Sequence, residues 1–280
     1  MTQTAIITGG TGGMGLATAA ILGRDHHVVL ADLDGERLDA AAEELSTAGV
    51  GASTAVCDIT DRTSVENLFA AAARTGRVRA VVHTAGVSPL MGSPERIIRI
   101  NALGTVHVTE AALAAAGPGS ALVSVSSMAG HMLPSPLLPR RAFRHALTNP
   151  ARMTASLTRL ATLGPGAAGP GTAYSLSKAF VIWYTAAMAA AFGEKGARAL
   201  TVSPGSFDTD MGRLEKASGS ERMLDFAALK RFGRPEEIAE LLAFCAGERA
   251  GYLTGTDVLC DGGTIAGLTL KGMIAMARGR

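Results

Sequence analysis

A glycine-rich turn near the amino terminus constrains the fold of this chain more than any other feature. The apolar run A-I-I at positions 5–7 leads directly into T-G-G-T-G-G-M-G at positions 8–15, and an apolar helical pattern follows. Glycines permit a tight backbone there, and the start of a helix offers free N–H groups to an anion. Strand, turn and helix in this order predict a unit that binds a dinucleotide at its pyrophosphate.

A carboxylate stands where the second strand is predicted to end. The apolar run at 28–31 is followed by Asp32 and then by Leu33. A carboxylate at this place can accept hydrogen bonds from the adenosine ribose, and it would repel a 2′-phosphate. Because no Lys or Arg lies within the glycine run, the sequence favours NAD, with NADP as the less favoured cofactor.

Tyr174 and Lys178 are four residues apart in the run Y-S-L-S-K. On a helix this spacing is about one turn, so both side chains leave the same face. A lysine ammonium beside a phenol favours the phenolate, which makes the tyrosine a candidate proton donor and acceptor. The pair therefore indicates acid–base chemistry next to the predicted dinucleotide site.

The T-G-x-x-x-G-x-G turn and the Y-x-x-x-K pair together resemble the short-chain dehydrogenase/reductase family, and the resemblance runs from about residue 4 to residue 263. It implies a catalytic set of Asn101, Ser127, Tyr174 and Lys178. It also implies that the cofactor is bound by Gly9, Thr11, Gly12, Gly13, Met14, Gly15, Asp32, Leu33, Asp58, Ile59, Ala85, Gly86, Tyr174, Lys178, Pro204, Gly205 and Thr209.

The resemblance assigns a role to each catalytic residue. Tyr174 would donate a proton to a ketone oxygen, and Lys178 would support it and hold the nicotinamide ribose. Ser127 would hydrogen-bond the substrate oxygen, with Ser126 as the alternative if the strand end is displaced. Asn101 would keep a water molecule in the path of the proton from Lys178 to solvent.

Alternating apolar runs and Ala/Leu-rich helical stretches predict an α/β fold, a doubly wound parallel sheet of the Rossmann type. Strands are expected at 5–7, 28–31, 80–83, 121–125, 199–202 and 257–260. We expect one catalytic domain over residues 1–280, with a mobile substrate lid at about 206–229 and a tail at 264–280. Met211, Leu214, Met223, Leu224 and Phe226 are expected to line an apolar pocket beneath that lid.

A helical insert of about residues 131–171 precedes the Tyr174 helix. Ser127 and Tyr174 are 47 residues apart, and Asn101 follows Gly86 by only 15 residues. Both spacings resemble a bacterial subgroup that includes 3α-hydroxysteroid dehydrogenase/carbonyl reductase, whose insert takes part in dimer contacts. A helix is expected near 140–147, and a second helix is capped by Asn149, with an apolar stripe from Met153 to Leu163 and a glycine-proline hinge at 164–171.

Five arginines in the insert form a basic segment within a stretch that lacks acidic residues from position 111 to position 193. These are Arg140, Arg141, Arg144, Arg152 and Arg159. We favour a pair of contact helices with solvated arginines. A basic rim that attracts an anionic substrate, such as a coenzyme A or carrier-protein thioester, is the second interpretation.

Composition excludes several other classes of protein. A net charge of +2 does not indicate a nucleic-acid partner. The three cysteines are far apart in the sequence, which fits a reduced cytoplasm. The histidines lack the spacing of metal ligands, so no metal site is predicted. The start of the chain lacks a signal-peptide pattern, and the apolar helix at about 179–192 is expected to be too short to span a bilayer.

The sequence thus predicts an NAD(H)-dependent dehydrogenase or reductase that acts on a secondary alcohol or ketone. An apolar alicyclic or steroid-like compound is the favoured substrate, and a homodimer or homotetramer is expected. The first alternative is a 3-oxoacyl-thioester reductase, against which Asp32 counts. A non-catalytic NAD-binding regulator and an assembly protein that uses the basic insert are the others.

Overall fold

Seven parallel strands alternate with helices in the computed structural model, which describes residues 3–163, 169–217 and 220–268. The strands are β1 (Gln3–Thr8), β2 (His27–Asp32), β3 (Ala52–Val56), β4 (Arg77–His83), β5 (Ala121–Val125), β6 (Arg198–Pro204) and β7 (Asp257–Cys260). All six strands predicted from the apolar runs are present. The sequence did not predict β3, because this edge strand lacks a continuous apolar run and none of its residues is fully buried.

The strand order is β3-β2-β1-β4-β5-β6-β7, and every neighbouring pair is parallel. The chain direction across the sheet reverses between β1 and β4. Loops that leave the carboxyl ends of these two strands go to opposite faces, and a crevice opens between them. The predicted Rossmann-type α/β fold is confirmed.

Alternate residues of the central strands belong to two separate cores. Ile7 and Leu30 lie in the core beneath one group of helices, whereas Ile6 and Val29 lie in the core on the opposite face. The two-residue period of a strand sends successive side chains to opposite faces, and both faces are covered. For this reason the central strands are apolar without alternation in the sequence.

Eleven α-helices are present in the described part of the chain. They are α1 (Gly13–Leu22), α2 (Gly35–Thr47), α3 (Arg62–Thr75), α4 (Pro94–Ile98), α5 (Gly104–Ala115), α6 (Arg140–Arg144), α7 (Pro150–Thr162), α8 (Gly169–Glu194), α9 (Asp210–Ala217), α10 (Pro235–Ala246) and α11 (Thr264–Gly267). A π-helical turn, Arg99–Leu103, joins α4 to α5.

Helix α8 is longer than its apolar sequence pattern predicts. It has 26 residues and is long and apolar enough to cross a membrane by length and composition alone. Half of its most apolar stretch is buried in the protein, a pattern that the core helix of a globular domain also gives. The expectation of a helix too short to span a bilayer was therefore wrong about its length.

The insert packs on its own chain. Phe143 of α6 and Met153 and Leu157 of α7 are fully buried in a cluster with α4 and α8, and the Phe143 and Phe180 rings meet edge to face at 5.4 Å. The predicted Asn149 cap is present, because its side chain accepts the Arg152 N–H.

Only the first half of the apolar stripe predicted for α7, Met153 and Leu157, is buried. In the second half Leu160 is 37% and Leu163 71% exposed, and Ala161 is buried instead. Most of the predicted hinge lies outside the described residues, as do positions 218–219 of the expected lid and the tail from 269 onward.

Candidate active site

The glycine turn between β1 and α1 forms one wall of the crevice. Gly9 has a φ of +71°, and a Cβ there would stand 2.7 Å from the Ala85 nitrogen. A Cβ at Gly15 would collide with the Gly9 carbonyl oxygen. Helix α1 begins after Gly12 without a side-chain cap. Its first N–H groups are thus left for an anion, which fits a dinucleotide pyrophosphate.

Asp32 ends β2 and is fixed by the glycine turn. One carboxylate oxygen accepts the Thr11 hydroxyl at 2.6 Å and the Thr11 N–H at 3.2 Å, and the other accepts the Leu33 N–H at 2.8 Å. Arg37, at the start of α2, donates to the Thr11 carbonyl at 3.3 Å. A cation therefore stands near the carboxylate, although none lies within the glycine run.

Tyr174 and Lys178 leave the same face of α8, as their spacing predicts. The Lys178 Nζ lies 5.7 Å from the centre of the Tyr174 ring and donates to the Val125 carbonyl oxygen at 3.2 Å. Lys178 is buried and Tyr174 half-buried. A Cβ at Gly86 would stand 3.5 Å from the Lys178 Nζ, so the loop after β4 passes close to the ammonium.

The two serines after β5 differ in direction. The Ser126 hydroxyl is buried and donates to the Lys178 carbonyl oxygen at 2.7 Å. Ser127 is half-buried, and its oxygen accepts the Ala129 N–H at 3.2 Å, which leaves its own proton to donate. The geometry therefore favours Ser127 as the hydroxyl that could reach a substrate oxygen.

Asn101 lies behind the crevice, in the π-helical turn. Its Oδ1 accepts the Val87 N–H at 2.9 Å, and its Nδ2 donates to the Val87 carbonyl at 3.0 Å and to the Ser177 hydroxyl at 3.2 Å. Ser177 in turn donates to the Tyr174 carbonyl at 2.8 Å. The Asn101 side chain thus connects the loop after Gly86 to the helix of the tyrosine.

His83, which no sequence motif marked as a site residue, supports the π-helical turn that carries Asn101. Its Nδ1 lies 2.7 Å from the Thr8 hydroxyl and its Nε2 3.1 Å from the Thr105 hydroxyl, which donates to the Asn101 carbonyl at 2.7 Å. Burial, and then the charge of Lys178, lower the pKa of His83 to about 3. The imidazole is therefore uncharged at neutral pH, and each of its ring nitrogens lies within hydrogen-bond distance of a hydroxyl.

A cavity of about 600 Å³ brings the predicted site residues together. Every residue predicted to bind the cofactor lines it, as do Ser127, Tyr174 and Lys178; Asn101 does not. Of the side chains expected beneath the lid, Met211 and Leu214 line the cavity, whereas Met223, Leu224 and Phe226 do not. No group of three or more His, Cys, Asp or Glu side chains that could hold a metal was found among the described residues.

Several cavity residues were missed in the sequence. They include Arg37, Val87, Met91, Arg96 and Ile100. Most follow the carboxyl ends of β2 and β4, so their proximity to a predicted strand end was an available signal. None of the five insert arginines is on the cavity wall, which does not support a basic rim formed by the insert.

The fold and the cavity define a class: an α/β protein whose crevice fits a dinucleotide beside a serine, a tyrosine and a lysine. The family profile described as short chain dehydrogenase matches residues 3–139, and the profile described as Enoyl-(Acyl carrier protein) reductase matches residues 140–264. The chain belongs to the short-chain dehydrogenase/reductase family, and it is an oxidoreductase of the nicotinamide-dependent type that acts on alcohol or carbonyl groups.

Relatives of known sequence match over nearly the whole chain. The short-chain dehydrogenase/reductase bsc3 of Alternaria brassicicola is 30% identical over 96% of this chain and 98% of its own. The cis-4-hydroxycyclohexanecarboxylate dehydrogenase of Sinomonas cyclohexanicum is also 30% identical, over 94% of this chain and 97% of its own.

Solved structures share the fold. The crystal structure of gox2181 superposes with a TM-score of 0.74 at 26% identity, over 95% of this chain and 96% of its own. A mutant actinorhodin polyketide ketoreductase with NADPH has a TM-score of 0.73 at 24% identity, over 94% and 97% of the two chains.

Proposed function

We propose that this protein transfers a hydride between NAD(H) and a secondary alcohol or ketone. The observation that carries the proposal is that Ser127, Tyr174 and Lys178 line the same cavity as the glycine turn and Asp32. A hydroxyl, a phenol and an ammonium beside a dinucleotide site meet the chemical needs of carbonyl reduction. The ketone carbon needs a hydride and its oxygen needs a proton.

Each of the three catalytic side chains has a separate role in the reaction. Tyr174 gives its proton to the carbonyl oxygen during reduction and takes one from the alcohol in the reverse direction. Lys178 stabilises the phenolate that remains, and Ser127 donates a hydrogen bond to the oxygen on which negative charge develops. The nicotinamide cofactor, when bound, supplies or accepts the hydride.

We assign Asn101 a positioning role in this reaction. Its side chain is occupied by Val87 and Ser177, so it acts through the loop and the helix that flank the cavity. The water-holding role that the family resemblance implies would then depend on its main chain. Positioning of this kind affects turnover without any contact to substrate.

NAD is the proposed cofactor because the Asp32 carboxylate would repel a 2′-phosphate. Arg37 beside Thr11 would favour the phosphate, and a direct comparison of the two cofactors distinguishes these effects. For the substrate we propose an apolar alicyclic or steroid-like compound. Met91, Met128 and Met211 on the wall support it, as does the relative named for a hydroxylated cyclohexane ring.

The proposal extends to the rest of the molecule. We propose one catalytic domain over 1–280, a substrate lid over about 206–229, a homodimer or homotetramer, and a cytoplasmic location. The insert over about 131–171 belongs to the same domain, since its core packs on α4 and α8. The resemblance to the subgroup of 3α-hydroxysteroid dehydrogenase/carbonyl reductase is part of this proposal.

Titration of the purified protein with NADH and with NADPH, followed by nicotinamide fluorescence, tests the assignment. NADH should bind more tightly than NADPH. Asp32→Ala should weaken NADH binding by about 10-fold or more, because the hydroxyls of the adenosine ribose lose a charged acceptor. Asp39→Ala, an exposed residue of α2, is the matched control and should change nothing.

The other outcomes redirect the function. Preference for NADPH would overturn the NAD assignment and favour 3-oxoacyl-thioester reduction. Binding of NADH without turnover of any compound in a broad panel of alcohols and ketones would favour the non-catalytic regulator.

A further inference from the structure

Arg96 lies on the cavity wall and has no role in the proposed hydride transfer. It belongs to α4, the short helix after the Val87 loop, and it is exposed. Its aliphatic stem lies over Gly92, where a Cβ would stand 2.7 Å from the Arg96 Cδ. The glycine thus leaves space for the arginine stem beside the cavity.

The other charged groups on the wall have partners. Asp32 accepts the Thr11 hydroxyl, Arg37 donates to the Thr11 carbonyl, and Asp210 forms an ion pair with Arg213. By contrast, no ion pair or side-chain hydrogen bond found among the described residues involves the Arg96 guanidinium. The guanidinium of this wall residue therefore has five N–H donors and a full charge available to a ligand.

The segment that carries Arg96 also contributes apolar residues to the cavity wall. Val87, Met91 and Ile100 come from the same loop and helix pair, and all three line the cavity. A guanidinium at such a place matches a carboxylate, which it can bind through two parallel hydrogen bonds. The pyrophosphate is the anionic group of NAD and is accounted for by the glycine turn and the start of α1, so with NAD as the cofactor an anion at Arg96 would belong to the substrate.

We propose that Arg96 recognises a carboxylate on the substrate and that the protein acts on a hydroxy or oxo acid with an apolar body. This inference rests on the proposed function, because it concerns the alcohol or ketone that the same cavity accepts. The apolar body would lie against the methionines, and the carboxylate would be held away from the carbon that reacts. Arg96 is then a specificity-determining residue.

The test compares a charged ketone with its neutral counterpart. 4-Oxocyclohexanecarboxylate and its methyl ester have the same ring and the same carbonyl. The wild-type protein should favour the acid, and Arg96→Ala should lower kcat/KM for the acid by about 10- to 100-fold, mainly through KM. The value for the ester should change by less than about threefold, since no charge-assisted hydrogen bond is lost.

Two further variants test whether the Arg96 guanidinium itself is responsible. Arg99→Ala removes an exposed arginine from the adjoining π-helical turn that does not line the cavity, and it should leave both substrates unchanged. Arg96→Lys keeps the charge without the planar fork and should recover part of the activity on the acid. The NADH dissociation constant should be the same in the wild type and in Arg96→Ala.

The outcomes separate this inference from the proposed function. Equal loss on the acid and the ester, weaker NADH binding in Arg96→Ala, or a wild-type preference for the ester would each overturn the carboxylate assignment. Reduction of coenzyme A thioesters with an Arg96-dependent KM, and none of the free acid, would overturn it too. Failure of the wild type to reduce any ketone with either cofactor would instead refute the proposed function.

Discussion

Asn101 and Val87 exchange two hydrogen bonds, from the Val87 N–H to the amide oxygen and from the amide nitrogen to the Val87 carbonyl, at 2.9 and 3.0 Å. Both residues are buried, so neither backbone group has water as a substitute. The pair fixes the loop between Gly86 and α4, one side of the cavity, to the π-helical turn that precedes α5.

Asn101→Ala should therefore reduce both stability and turnover. It leaves the Val87 N–H and carbonyl buried without partners, at about 1–3 kcal/mol for each group. Urea unfolding measures the stability, and kcat/KM with NADH and a cyclohexanone reports the position of the loop. Asn149→Ala, at an exposed helix cap, should cost only about 1 kcal/mol and leave kcat/KM unchanged. Equal effects of the two substitutions would contradict the positioning role.

Tyr174→Phe should abolish most of the activity without loss of the fold. Removal of the phenolic proton eliminates the acid, and a positioned acid is typically worth about 10²–10⁴ in rate. Steady-state assays with NADH and 4-oxocyclohexanecarboxylate measure the loss, and fluorescence titration should show that NADH still binds. Tyr252→Phe is the matched control, because Tyr252 is fully exposed. A Tyr174→Phe protein with more than about a tenth of the wild-type rate would be inconsistent with this role.

Thr11→Val should weaken NADH binding through Asp32. The substitution keeps the shape of the side chain but removes the 2.6 Å hydrogen bond that orients the carboxylate. One hydrogen bond to a charged group corresponds to about 1.5–3 kcal/mol, so we expect a dissociation constant at least about 10-fold higher. In the background of Asp32→Ala, Thr11→Val should have little further effect. Additive losses in this double-mutant cycle would show that the two residues act independently.

Arg198→Met should destabilise the fold strongly without a direct effect on the cavity. The buried guanidinium donates to the carbonyls of Cys245, Gly247 and Leu253, which joins the end of α10 to β6. Its loss leaves buried carbonyls unpaired, and we expect a decrease of about 2–4 kcal/mol in the free energy of unfolding. Arg24→Met, at an exposed site, is the comparison and should stay within about 0.5 kcal/mol of the wild type.

His83 should contribute to the acid lability of the protein. Its pKa in the folded protein is lowered to about 3 by burial and by the charge of Lys178, below the unfolded value near 6.5. Since the unfolded chain then binds the proton more readily, this contribution is complete above pH 6.5 and is lost as the pH falls towards 3. Urea midpoints of the wild type and of His83→Gln should therefore converge between pH 6.5 and pH 4. A constant difference between the two proteins would refute the shift.

Much of the site was predictable because it depends on local sequence order. The glycine turn, Asp32 and the Tyr174–Lys178 pair each sit within one strand-turn-helix segment or one helical turn, where spacing fixes geometry. Contacts between segments far apart in the chain could not be predicted from the sequence. The sequence favoured Ser127 with Ser126 as the alternative, and the burial of Ser126 and its bond to the Lys178 carbonyl distinguish the two.

The sequence by itself determined the class of fold and the order of its functional segments, since strands buried on both faces and a glycine turn before a helix leave few alternatives. Tertiary structure decided the rest. It buried Phe143 of the insert on α8, placed the insert arginines off the cavity wall and brought Arg96 to that wall. These contacts join segments far apart in the chain, and such contacts depend on how helices pack rather than on the period of their residues.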